Sequence, residues 1–143
     1  VLALLLIARA APARAQCVID SVTGTAFGTY DTFSASPLDT AGAVIYRCLV
    51  ALTITIDLST GSSAAYAART MTRIGGGGTL TYNLFLDAAR LTVWGNGASG
   101  TVHYGPILGL LSGVTVPIYG RVPARQDVAT GDYSDTVVVT LNY

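Results

Sequence analysis

The chain of 143 residues carries 8 arginines and no lysine against 8 aspartates and no glutamate, so its formal net charge is zero. With 51% hydrophobic and 11% charged positions, the length suits one domain with a substantial core and is short for two. This balance gives no electrostatic case for nucleic acid or an anionic membrane surface, its apolar content argues against disorder, and two cysteines cannot build a four-thiolate zinc site.

Residues 1–15, VLALLLIARAAPARA, differ from everything after them. An apolar run from Val1 to Ala8 passes into an alanine-rich stretch closing with Ala13-Arg14-Ala15, the small-x-small pattern of a signal-peptidase site. The expectation is a signal-peptide remnant at 1–15 and a mature domain at 16–143, slightly acidic once Arg9 and Arg14 are lost. The competing reading keeps residues 1–15 in the folded product as a short helix or an apolar strand. Either way the run is too short for a transmembrane helix. Export would put Cys17 and Cys48 in an oxidising compartment, where a structural disulfide is expected. Closing a loop of about 31 residues would stabilise the fold by roughly 3–4 kcal/mol. Two free buried thiols are the alternative.

From Gln16 onward the dominant period is two, the mark of strands with one buried face. Short candidates come first, at 17–23, 26–30 and 43–49. Leu52, Ile54, Ile56 and Leu58 then alternate with Thr53, Thr55 and Asp57. A turn at Gly61-Ser62-Ser63 follows, and one short helical turn is expected at Ala64–Ala68. The 69–73 candidate leads into Gly75–Gly78, a glycine run without the Lys-Ser/Thr of a phosphate loop, which reads as a hairpin connection. Leu80, Tyr82, Leu84 and Leu86 form the next alternating set, and Asp87-Ala88-Ala89 the next turn. Candidates at 91–94, 101–104 and 114–122 follow. Pro117 places the last of these at an edge, or bulged, at that point. Val137, Val139, Leu141 and Tyr143 share one side of a final strand. Many short strands separated by turns, with no sustained helical period, predict an all-β sandwich.

Candidate chemistry is sparse. His103 is the one histidine, the aspartates are scattered, and no metal-ligand spacing, EF-hand loop or G-x-S-x-G elbow appears. No metal, cofactor or catalytic residue is expected. Asp57 and Asp135 are the nominal pair for glycoside hydrolysis, judged only by their being carboxylates. Trp94, Tyr104 and Tyr119 could form a surface-binding platform; the plainer reading makes these aromatics core and end plugs. The arginines are suited to bidentate bonds with aspartate or to reaching carbonyls between strands.

Several separate motifs occur in order. They are Cys17, Phe27-Gly28-x-Tyr30, Cys48, Leu80-x-Tyr82-Asn83-Leu84-Phe85-x-Asp87, Trp94-Gly95 and Val116-Pro117-Ile118-Tyr119-Gly120-Arg121-Val122-Pro123. Gln126, Gly131-Asp132-Tyr133-Ser134-Asp135-Thr136 and an alternating strand ending at Tyr143 complete the set. Together they resemble the spore coat protein U domain family, which includes subunits of archaic chaperone–usher pili. The resemblance covers about residues 17–143.

It implies an incomplete immunoglobulin-like sandwich, missing one strand, and a disulfide between Cys17 and Cys48. It also implies a structural, non-catalytic subunit of a pilus or spore coat, exported through the periplasm to the cell surface. A periplasmic chaperone would fill the gap first. At the outer-membrane usher, a strand from a neighbouring subunit would then replace it by β-augmentation. Leu84, Val137, Val139 and Leu141 are the residues expected in that groove. Polymerising members carry a donor strand before the first cysteine. Cleavage after Ala15 would leave only Gln16 there, giving a subunit that accepts a strand and donates none. If residues 1–15 are retained, Leu2, Leu4 and Leu6, or Val1, Ala3, Leu5 and Ile7, would supply an inserted face. The rival function is a self-complete secreted carbohydrate- or surface-binding module using Trp94, Tyr104 and Tyr119.

Overall fold

Alternation of apolar and polar residues becomes nine strands in a computed structural model, which describes residues 16–143. They are β1 (Cys17–Thr23), β2 (Leu38–Cys48), β3 (Thr53–Leu58), β4 (Arg69–Arg73), β5 (Thr79–Phe85), β6 (Tyr104–Leu108), β7 (Val114–Val122), β8 (Tyr133–Ser134) and β9 (Val139–Asn142). The larger sheet has the order β1-β2-β7-β5-β4-β8, and the smaller β6-β3-β9. All strand pairs are antiparallel. Residues 1–15, and with them the boundary expected after Ala15, lie outside the described residues. Among the described residues no helix is long and apolar enough to cross a membrane.

The two inner faces meet over Val44, Tyr46, Ile54, Ile56, Leu58, Leu80, Tyr82, Leu84, Trp94, Val116, Ile118 and Val122, all buried. At one end Cys17 and Cys48 face each other across β1 and β2 and are disulfide-bonded. The sandwich does not close. β1 ends one sheet and β9 ends the other, so two strand edges face a gap rather than each other's hydrogen bonds.

Where local reading and structure differ, the cause is tertiary. Residues 26–30 belong to no strand, and 91–94 contributes only the isolated bridges Phe85–Val93 and Trp94–Val102. The strand expected at 101–104 forms instead at Tyr104–Leu108. It carries Pro106, which is tolerated because β6 is an edge strand. The short helical turn sits at Gly61–Ser63 rather than 64–68. β7 is central, yet its pairing with β5 spans only Tyr119–Arg121, so at Pro117 it is paired on one side, in unbroken register with β2.

Phe27 is anchored by a missing side chain. A Cβ on Gly120 in β7 would come within 2.8 Å of the Phe27 ring, which packs edge-on against Tyr82 with centroids 6.0 Å apart. Gly120→Ala should therefore lower stability by about 1–3 kcal/mol, as overpacking does. Urea unfolding of the variant beside the parent checks this, and an unchanged midpoint would contradict it.

Candidate functional site

The gap between the sheets is a cleft of about 390 Å3. Val22 at the end of β1, Gly24, Thr25 and Phe27 form one wall, and residues 133–137 with Val139 form the other. Its floor is Leu58, Met71, Tyr82, Leu84 and Ile118, side chains that strand alternation turns inward. Of the four groove residues expected from sequence, Leu84, Val137 and Val139 line this cleft. Leu141 packs against the core further along β9 and does not line it. Val22, Phe27, Leu58, Met71, Tyr82 and Ile118 were not anticipated as groove residues. Their inward periodicity, or the Phe-Gly-x-Tyr motif for Phe27, was the available signal.

One carboxylate stands in the wall. Asp135 accepts a 2.6 Å hydrogen bond from the Tyr82 hydroxyl and a 2.9 Å bond from the Ser62 amide. Burial, followed by this bond to Asp135, pushes the Tyr82 phenol above its ordinary range. Asp135 thereby ties the wall to the turn after β3, and Gly61 leaves room for it, since a Cβ there would overlap the carboxylate.

Behind the cleft lies Arg69, which has no exposed surface. Its guanidinium donates to the Ser59 carbonyl (2.9 and 2.8 Å), the Trp94 carbonyl (2.7 Å) and Asn83 Oδ1 (2.7 Å). Burial pulls its pKa down from the usual arginine value, an effect partly offset by Tyr82, Tyr66 and Asp135. Arg69 thus joins the end of one sheet to the other. Ser59 in turn exchanges bonds with Val138, donating its amide to the Val138 carbonyl and accepting the Val138 amide on Oγ.

The aromatics that a surface platform would use, Trp94, Tyr104 and Tyr119, differ in their surroundings. Trp94 is fully buried, with its indole N–H donating to the Ile56 carbonyl at 2.8 Å. An alternating Val93-Trp94 step turned inward, with a carbonyl within reach of the indole, accounts for this. Tyr104 is half-buried against Trp94 and Tyr46, and Tyr119 lies beneath the Arg90 guanidinium, 5.7 Å from ring centroid to Cζ. The three aromatics do not share one exposed face.

Asp57 and Asp135 are likewise placed separately: Asp57 Oδ2 accepts from Asn142 (3.0 Å) while its Oδ1 lies 3.3 Å from His103 Nδ1 without a hydrogen bond, and Asp135 accepts from Tyr82 and Ser62. Among the described residues no group of three His, Cys, Asp or Glu side chains could hold a metal ion.

Arg121 makes a two-pronged bond to Asp39 across β7 and β2, at 2.7 and 2.8 Å, and holds that carboxyl below its usual pKa of 3.8. A depressed folded-state pKa means this stabilisation is complete above the unfolded value and is lost as pH falls through the folded one. The parent should therefore lose stability relative to Asp39→Asn as pH drops below about 4. The gap will be modest because the pair is partly solvated. Denaturation midpoints of both proteins between pH 2 and 6 test this, and parallel curves would contradict it.

Two open strand edges flanking an apolar cleft define an incomplete β-sandwich. The profile of the Spore Coat Protein U domain matches residues 2–140. The chain is also 39% identical over 128 residues to Protein U of Myxococcus xanthus, an alignment covering 82% of this chain and 70% of that protein. The chain belongs to the spore coat protein U domain family. Among solved structures it is similar to a chain of the CsuC–CsuE chaperone–tip adhesion subunit pre-assembly complex from archaic chaperone-usher Csu pili of Acinetobacter baumannii. That match has a TM-score of 0.50 and 19% identity, covering 89% of this chain and 39% of the other's length. At that identity it speaks for the fold.

Proposed function

We propose that this chain is a structural, non-catalytic subunit of a secreted surface assembly, an archaic chaperone–usher pilus or a spore coat, joined by donor-strand complementation. The carrying observation is the cleft itself: about 390 Å3 of largely apolar space between the unpaired edges of β1 and β9. A strand entering there would pair with an open edge and place alternate side chains on Leu58, Leu84 and Val139.

In this reading a periplasmic chaperone holds the cleft first, and a neighbouring subunit's strand replaces the chaperone at the outer-membrane usher. The domain at 16–143 is the exported form. It reaches the cell surface through the periplasm, where the Cys17–Cys48 disulfide forms. Co-expression with the cognate periplasmic chaperone should yield a soluble 1:1 complex. Equally stable, monodisperse protein recovered without the chaperone would contradict the reading. N-terminal sequencing of the exported protein checks the start at Gln16.

A further inference from the structure

The cleft does not end at Phe27. A second cleft of about 600 Å3 continues from it, sharing Thr25, Phe27, Met71 and Tyr133 with the first. The same two chain segments flank both: residues 22–33 on one side and 128–139 on the other. Much of each flank, including residues 24–30 and 135–138, belongs to no strand; Val138 is held by Ser59, the Ala26 carbonyl by Thr40 and the Thr136 amide by Asp135, and the remaining backbone groups there lie outside any strand ladder.

The chemistry changes along this path. The first cleft is walled mainly by aliphatic and aromatic side chains, with Asp135 at its margin. The second keeps an apolar floor in Leu80, Val122 and Val128 but carries Thr29, Asp31, Thr130 and Asp132 on its walls. Among the described residues no arginine lines either cleft. The nearby Arg73 is turned to the carbonyls of Thr130 and Gly76.

Resting on the strand-acceptor reading above, we infer that the strand accepted here is a two-part segment of about ten residues, at roughly 3.3 Å each. Its inner half presents alternate apolar side chains to the first cleft. Its outer half, beyond Phe27, presents hydroxyl-bearing residues and a basic residue to the second. The physical reason is complementarity. An apolar outer half would strip water from Asp31 and Asp132 without replacing its hydrogen bonds, whereas a cation there meets two carboxylates, the neighbouring Arg73 being occupied by the Thr130 and Gly76 carbonyls.

Fluorescent peptides exchanged into the full exported chain, in complex with its chaperone where it is recovered that way, test this inference. Four are compared: a six-residue alternating apolar strand, the same strand extended by Thr, Ser and Arg, an equally long all-apolar strand, and an extension with Asp in place of Arg. The Arg-containing extension should bind about tenfold more tightly than the short strand and than the Asp version. The difference from the Asp version should shrink at high salt. The double variant Asp31→Asn/Asp132→Asn should erase that difference while leaving the short strand's affinity unchanged.

Equal affinity of the short and extended strands, or of the all-apolar and Arg-containing ones, overturns the two-part occupant and leaves the strand-acceptor reading standing. Displacement of the outer half by a neutral oligosaccharide such as maltotriose also overturns it. Failure of every peptide, the short one included, counts against the strand-acceptor reading itself.

Discussion

Replacing Arg69 by Ala is expected to lower the unfolding free energy by about 3–5 kcal/mol, a loss large enough to threaten folding of a domain this size. Arg69 has no exposed surface, and its removal would strand the carbonyls of Ser59 and Trp94 and the Asn83 side-chain oxygen while opening a cavity. Arg69→Met separates the two contributions. It restores most of the volume but not the donors, so most of the loss should remain. Because Ser59 also holds Val138, both variants should speed amide exchange in the cleft wall at 135–139 before the rest of the domain unfolds. Urea denaturation gives the first quantity and hydrogen exchange the second. A midpoint within experimental error of the parent would mean that Arg69 does not hold the sheets together.

Loss of the disulfide comes next in size. Cys17 and Cys48 close a loop with a sequence separation of 31, and on the chain-entropy model the Cys17→Ser/Cys48→Ser variant should be about 3–4 kcal/mol less stable. The bond ties β1 to β2 at the end where Gln16 enters, through its carbonyl to the Leu49 amide. β1 is an edge strand with β2 as its single neighbour, so its cleft-facing end at Val22 depends on that anchorage. The variant should therefore also recover less chaperone complex than the parent. Equal stability of oxidised parent and variant in urea would contradict this account.

These expectations show what the chain's pattern conveyed and what it could not. β1, β4 and β7 fall at the residues expected, because alternating runs there are bounded by turn residues. β8 has two residues, too few to carry a period, and β6 was obscured by Pro106. Leu84, Val137 and Val139 were legible as inward-facing positions. That they border an unfilled gap depends on β1 and β9 ending on edges of different sheets, a non-local outcome that no window of sequence contains. Arg69 shares the face of Met71 by simple alternation, yet only its four converging hydrogen bonds explain how a cation sits there. For Trp94 the pattern left a core plug, the plainer reading, beside a surface role; its full burial, with the indole on the Ile56 carbonyl, is set by packing that its neighbours in sequence do not specify.

In the proposed function, the cleft beside β9 is completed by a strand from another chain. Backbone amide exchange, compared between the free exported chain and its chaperone complex, tests it most directly. Strong new protection is expected on the β9 amides that point away from β3, and on residues 22–30 across the gap, with little change in β2 and β7. Unchanged exchange at β9 in a complex that nonetheless forms would show that the chaperone binds elsewhere, and that the open edge is not the acceptor.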